Sequence, residues 1–223
     1  MATNWRCSCP LAEVDLDDFL QQLTARNDPG LAETLQSAAV GIAGCGGLGS
    51  NIAVALARIG IGRLVLADFD AVEPSNLNRQ YYFIEDIGRP KVDALEATLR
   101  RINPGITVEK HAVRLEEGNV FEVFKDCRVI AEAFHAAADK TMLVRAFGDT
   151  RLRDTYLVCA SGMAGLHSSN LIQTRQIARN IFACGDFQSA PDKAHGLMAP
   201  RVAIAAGHQA NMVLRLLAGE LEP

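Results

Sequence analysis

Gly44, Gly46 and Gly49 fall in the stretch VGIAGCGGLGSN, Val40 to Asn51, at the spacing G-x-G-x-x-G. Glycines so spaced, after a buried strand and before a helix, make a phosphate cradle. The first permits the tight turn, the second lets a phosphate approach the backbone, and the third lets the helix pack close to the strand. The helix start adds free N–H groups and the positive end of its dipole. Gly47 is an extra glycine in the same turn. Asp68, in LADFD, stands where a carboxylate accepts hydrogen bonds from a ribose, about 20 residues on. Asp70 of the same stretch joins the nucleotide-binding candidates. These residues alone fit a nicotinamide dinucleotide and ATP equally.

The next segment, VEPSNLNRQ, supplies Asn76 and Arg79, and Lys91 opens the following helix. Two fixed cations and a carboxamide beside phosphates suit phosphoryl or nucleotidyl transfer, in which charge develops on phosphate oxygens. A hydride-transfer site has no need of that charge.

The elements that must position these groups alternate. VGIAG, RLVLAD, ITVEKHAV, RVIAEA and TYLVCAS read as strands, separated by helical stretches such as KVDALEATLRRIN and ADKTMLVRAFGD. This alternation predicts a Rossmann-like α/β fold: a doubly wound, mainly parallel sheet with right-handed crossovers. SSNLIQTRQIARNIFACGD departs from the alternation and reads as one or two strands added late, with antiparallel pairing as an option; RVAIAAGHQANMVLRLLAGE reads as a long C-terminal amphipathic helix. DLDDFLQQLTARN carries Leu16, Phe19, Leu20 and Leu23 at helical spacing. The division that follows is an N-terminal helical extension, 1–30, and a single nucleotide-binding domain, 31–223. DFQSAPDKAHGLMAP reads as a flexible loop.

A chain of 223 residues can bury one sizeable core. The net charge of −4 argues against a general nucleic-acid binder or an anionic membrane surface as partner. No apolar run is long enough to span a bilayer. MATNWRCSCP lacks the character of a signal peptide, so the expected location is cytoplasmic. Six scattered cysteines form no C-x-x-C pair, and the Cys7–Cys9 spacing is poor for zinc. That start reads as disordered.

GCGGLGSN, DFDAVEPSNLNRQ and IGRPKVDALEATLRRINP together resemble the ThiF/MoeB family, adenylyltransferases related to ubiquitin-activating enzymes. ASGMAGLHSSNLIQTR, ACGD and GLMAPRVAIAAGHQANMVLRLL resemble its short ThiF subgroup, associated with thiamine biosynthesis. The resemblance implies an enzyme that binds ATP and a small ubiquitin-like sulfur carrier protein ending in Gly-Gly. The carrier's terminal carboxylate attacks the α-phosphorus, giving acyl adenylate and pyrophosphate, and the activated carboxyl later becomes a thiocarboxylate. It further implies that the glycine turn holds phosphates, that Asp68 holds the ribose, and that Asn76, Arg79 and Lys91 contact phosphates. The family also uses an arginine from the neighbouring subunit's N-terminal helix. Arg26, in LTARND, stands in a comparable place, although the usual arginine-rich motif is absent. A homodimer follows from that role.

The sequence departs from the family in three respects. Where relatives carry an aspartate that helps bind magnesium, VIAEAFHAAADK places His135. A neutral imidazole is a poor ligand for Mg2+. The metal candidates are then His135 itself and Asp139, and three readings compete. Glu132 or Asp139 has taken over the metal, His135 contacts phosphate directly as a cation, or adenylation is weakened or lost. Second, the zinc-binding C-x-x-C pairs of many relatives are missing, so no structural zinc is expected. Third, a sulfur-handling cysteine needs exposure and a nearby cation. Cys184, before the expected loop and near Arg179 and Lys193 in sequence, is the candidate. Cys159, inside an apolar strand, reads as inert, and Cys45 need only be small. His208 and Asn211, a polar break in the last helix, satisfy a core backbone group or line a surface. Two further readings stand beside the adenylyltransferase: an NAD(P)-dependent oxidoreductase, and a non-catalytic module that still docks a ubiquitin-like partner.

Overall fold

The computed structural model describes residues 15–191 and 195–223. Cys7, Cys9 and Lys193 lie outside the described residues.

Two short helices, α1 (Leu16–Thr24) and α2 (Leu31–Ser37), precede the first strand. The alternating body follows as β1 (Ala39–Ala43), α3 (Gly47–Arg58), β2 (Arg63–Ala67), α4 (Lys91–Ile102), β3 (Thr107–His111), α5 (Val120–Phe124), β4 (Val129–Glu132), α6 (Ala137–Ala146) and β5 (Tyr156–Ala160). β6 (Gln173–Ala178), β7 (Ile181–Gly185) and α7 (Ala199–Ala218) close it. The strands form one sheet in the order β3-β2-β1-β4-β5-β7-β6. Every pairing is parallel except β6 with β7, which is antiparallel and carries an irregularity at Gln176/Ala178. The added C-terminal strands are thus a hairpin: β7 extends the parallel sheet beside β5, and β6 folds back to form the edge.

Strand burial follows that order. β1, β2, β4, β5 and β7 are apolar and almost wholly buried, whereas the edge strands β3 and β6 are largely open. A strand with helices on both faces needs apolar side chains on both, which is why AVGIA, RLVLA and YLVCA are continuous runs rather than alternations. α3, α4 and α7 cover one face, with Ile52, Leu95 and Val213 fully buried. α5 and α6 cover the other, with Phe124 and Leu143.

α2 was not apparent in the sequence. Seven residues give less than two turns of periodicity, and LAETLQS buries only Leu35. Among the described residues, no helix is long and apolar enough to cross a membrane.

The strand order reverses between β1 and β4: chain order runs outward through β2 and β3 on one side and through β4 and β5 on the other. Ligands of doubly wound sheets bind beyond the carboxyl ends of strands at such a switch point. The turns after β1, β2 and β4 all open there.

Candidate functional site

A cleft of about 560 Å³ occupies the switch point, within the size of small-molecule sites. Gly46, Gly47 and Leu48 bring the start of α3 to its floor. That helix N-terminus has no side-chain cap. Gly44 has a φ of +95°, open to glycine at little cost, and a Cβ at Gly49 would stand 1.8 Å from the Gly44 carbonyl oxygen. The turn therefore requires glycine at both positions for its own shape, before any ligand is considered. Gly47 faces the stem of Arg79 and Val202.

Asp68 lies at the end of β2 with its carboxylate against the turn. Its Oδ2 accepts from the Cys45 N–H at 2.7 Å and its Oδ1 from the Asp70 N–H at 2.8 Å. Burial pushes its pKa up, against the opposing pull of Lys91 and these two N–H groups. Lys91 is buried at the start of α4 and donates from Nζ to Asp70 Oδ2 at 2.8 Å. Asp70 thus orients the lysine over the cleft.

The segment carrying Asn76 and Arg79 is clamped to α3 by side chains that the sequence reading left without a role. Ser50 Oγ accepts from the Tyr81 N–H at 3.0 Å, and Asn51 Nδ2 donates to the Arg79 carbonyl at 3.2 Å. The Tyr82 hydroxyl donates to the Cys45 carbonyl at 2.7 Å. Asn76 is buried, and its Oδ1 accepts from the Glu73 N–H at 3.1 Å. Arg79 donates from Nη1 to the Ser75 carbonyl at 3.1 Å and to Asn78 Oδ1 at 2.8 Å, and forms no ion pair among the described residues. Gln80 was also overlooked. It is buried on the cleft wall, and its Oε1 makes no hydrogen bond among the described residues.

The far wall comes from the β4–α6 turn. His135 is exposed and lines the cleft with Asp139. Asp139 is engaged by Arg114 Nη2 at 3.2 Å. Glu132 is fully buried and does not line the cleft. Its oxygens accept from Lys140 Nζ at 2.8 and 2.9 Å and from the N–H groups of Phe134 and Ala160. This corrects the expectation for Glu132 alone: it is a structural brace away from the cleft, whereas Asp139 lines the cleft with one oxygen held by Arg114, beside the His135 imidazole. At the end of β4 itself the side chain offered is therefore an imidazole, where a magnesium ion would select carboxylate and water oxygens.

Residues beyond β5 and β7 complete the rim. Asp186 Oδ1 accepts from the N–H groups of Gln188 (2.9 Å) and Ser189 (2.8 Å). Its Oδ2 accepts from the Ser189 hydroxyl at 2.7 Å and from Arg201, itself buried. Asp186, Gln188 and Ser189 are therefore tied together by hydrogen bonds, while residues 192–194 of the expected loop lie outside the described residues. Phe187 even holds a left-handed φ of 61° beneath the Arg175 guanidinium.

Cys184 and Arg26, both expected at the site, stand away from the cleft. Cys184 is fully buried in β7, and burial pushes its thiol up to about 11 against a hydrogen bond from Thr174. This corrects its reading as an exposed sulfur-handling group. Cys159 is likewise buried and its thiol pushed up. Arg26 is exposed just after α1, where Asn27 Nδ2 bonds the Ile59 carbonyl beyond the C-terminus of α3. α3 has 12 residues and spans about 18 Å, so Arg26 lies at the opposite end of the sheet from its own chain's cleft. In α7, His208 Nδ1 pairs with Thr174 Oγ1 at 3.0 Å and Asn211 is exposed. The core backbone groups are instead met by Gln209, whose Nε2 donates to the Glu132 and Val158 carbonyls at 2.8 and 3.0 Å.

Fold and cleft together define a Rossmann-like α/β protein with a glycine turn at its switch point. The ThiF family profile matches residues 20–223, and the chain belongs to that family. It is 40% identical over 92 residues to ubiquitin-like modifier-activating enzyme 5 of Oryza sativa subsp. japonica, a stretch covering 41% of this chain and 22% of the relative. It is 40% identical over 100 residues to the SAMP-activating enzyme E1 of Haloferax volcanii, covering 44% of this chain and 37% of the relative. The chain thus matches well under half the length of either. In fold it resembles E. coli tRNA N6-threonylcarbamoyladenosine dehydratase, TcdA, in complex with ATP (TM-score 0.82, 20% identity, 92% of this chain and 98% of that one). It also resembles E. coli MccB with ATP (TM-score 0.62, 22% identity, 86% of this chain and 59% of that one).

Proposed function

We propose that the chain is an ATP-dependent adenylyltransferase acting on the C-terminal carboxylate of a ubiquitin-like sulfur carrier protein. The observation that carries this reading is the convergence, in one cleft, of an uncapped helix start, a ribose-type carboxylate and two cations, one of which forms no ion pair among the described residues. ATP lies with its ribose at Asp68 and its phosphates over Gly46 and Gly47. Asn76, Arg79 and Lys91 contact the phosphates. The Gln80 side-chain carbonyl, buried without a donor, accepts a hydrogen bond from the bound nucleotide or carrier tail.

In the reaction, an oxygen of the carrier's terminal glycine carboxylate attacks the α-phosphorus. The bond from that phosphorus to the β-bridging oxygen breaks, and pyrophosphate leaves with the electron pair. The turn N–H groups, Arg79 and Lys91 stabilise the charge that builds on the phosphate oxygens, fixed donors in place before the reaction begins. The carrier ends in Gly-Gly, because only a thin, unbranched tail reaches the floor of such a cleft. Its acyl adenylate is the precursor of a thiocarboxylate, and the thiamine pathway is the assignment favoured by the subgroup stretches in the C-terminal half. Arg26, remote from its own cleft, serves the cleft of a second copy in a homodimer.

ATP–pyrophosphate exchange, with and without small Gly-Gly carriers from the same genome, tests the reading. Exchange that requires both ATP and a carrier is expected. Binding of ATP without exchange on any carrier would overturn catalysis in favour of a docking module. Thermal stabilisation by NADH and none by ATP would overturn the nucleotide.

A further inference from the structure

The cleft's charges are distributed unevenly around its three strand ends. Its carboxylates are Asp68, Asp70 and Asp139. Asp68 is taken by two backbone N–H groups, Asp70 by Lys91, and Asp139 by Arg114. Lys140 is committed to Glu132. Arg79 and His135 remain as donors facing the cleft that form no ion pair among the described residues.

Strand order gives the direction of a bound nucleotide. β2, β1 and β4 are consecutive in the sheet. Neighbouring strands stand about 4.8 Å apart, so the ends of β2 and β4 are about 10 Å apart with the glycine turn between them. A ribose at Asp68 and an α-phosphate over the turn therefore send the remaining phosphates towards the end of β4. Among the described residues, His135 is a polar side chain there that no carboxylate engages.

We infer that His135 is a polyphosphate-binding residue, donating a ring N–H to the pyrophosphate end of the triphosphate, and that the cleft holds ATP without a protein-bound divalent ion. An imidazole N–H is a donor in either protonation state, and at the end of β4 it stands where the phosphates run. This rests on the reading that the cleft takes ATP.

Calorimetric titration with ATP, AMP and inorganic pyrophosphate, each in EDTA and in excess magnesium, tests it. For the unaltered protein, the ATP dissociation constant in EDTA is expected within about threefold of that in magnesium. His135→Ala should weaken ATP and pyrophosphate about tenfold, the loss of one charge-assisted hydrogen bond, and leave AMP unchanged. His135→Asp should bind ATP in magnesium and lose at least tenfold in EDTA. A wild-type protein that needs magnesium for ATP but not for AMP would overturn the inference and leave the adenylyltransferase reading standing. So would His135→Ala weakening AMP as much as ATP, or weakening neither. A protein that binds neither ATP nor AMP would overturn both.

Discussion

Lys140 Nζ lies 2.8 and 2.9 Å from the two carboxylate oxygens of Glu132, a residue with no solvent exposure. The same carboxylate accepts the N–H groups of Phe134 and Ala160, so it ties the ends of β4 and β5 together directly behind the cleft. A buried charge deprived of its cation is costly, because the desolvation penalty stays while the compensation goes. Lys140→Met should therefore lower the unfolding free energy by about 2–3 kcal/mol in urea titrations. Glu132→Gln combined with Lys140→Met should recover part of that loss. An unchanged midpoint for Lys140→Met would show that the pair contributes nothing.

Arg79 is held by backbone and amide oxygens rather than by a carboxylate, which leaves its charge available to a ligand. Arg79→Ala should reduce ATP–pyrophosphate exchange at least 10²-fold, of the order seen when one fixed electrostatic donor is removed from a reaction centre. Its unfolding free energy should stay within about 0.5 kcal/mol of wild type, since the guanidinium braces no core element. Exchange at the wild-type rate would remove Arg79 from the assigned role.

Local rules made much of this molecule legible. The glycine turn, the buried strands and the position of Lys91 follow from spacing and apolar runs, since each depends on a few neighbouring residues. Long-range polar pairs were not legible. Nothing near Glu132 in sequence marks it as the partner of Lys140, and nothing near Asp186 points to Arg201, because such pairs are made by strand and helix ends meeting in space. Gln209 illustrates the same limit within one hexapeptide: GHQANM advertised a polar break, yet which of its side chains faces the core depends on the rotation of α7. The burial of Cys184 was not legible because β7 is an inner strand: β6, which precedes it in the chain, forms the edge, and β7 returns between it and β5.

Asp186 and Arg201 form a buried ion pair next to Ser189, which lines the cleft. Burial alone would raise the Asp186 pKa, but hydrogen bonds from the Ser189 hydroxyl, the Ser189 and Gln188 N–H groups and Arg201 hold it well below the usual carboxylate range. A folded pKa below the unfolded value of about 3.9 means the unfolded chain binds the proton more readily. The carboxylate's contribution is thus complete above about pH 4 and is lost as pH falls through the folded value. Asp186→Asn should cost about 3 kcal/mol at pH 7, and its deficit relative to wild type should narrow steadily below pH 4. Urea unfolding at several pH values reads this directly. A deficit that stays constant down to pH 2.5 would rule out the ionised carboxylate as its source.

Cys184 is buried in β7 with its thiol pushed up to about 11, so only a small fraction is thiolate near neutral pH. The thiolate is the nucleophile in both alkylation and sulfur transfer, and neither reagent nor carrier reaches a fully buried sulfur without local opening. Native protein treated with iodoacetamide should therefore modify Cys184 at least 10²-fold more slowly than unfolded protein, as followed by peptide mass spectrometry. Cys184→Ala should retain ATP–pyrophosphate exchange within about twofold and lose about 1 kcal/mol of stability from the small cavity it leaves. Cys45, Cys127 and Cys159 are buried as well, so the same protection should extend to them. Rapid native alkylation of Cys184, or loss of exchange in the alanine variant with the fold retained, would restore the cysteine as a reacting group and place β7 among the elements that open during turnover.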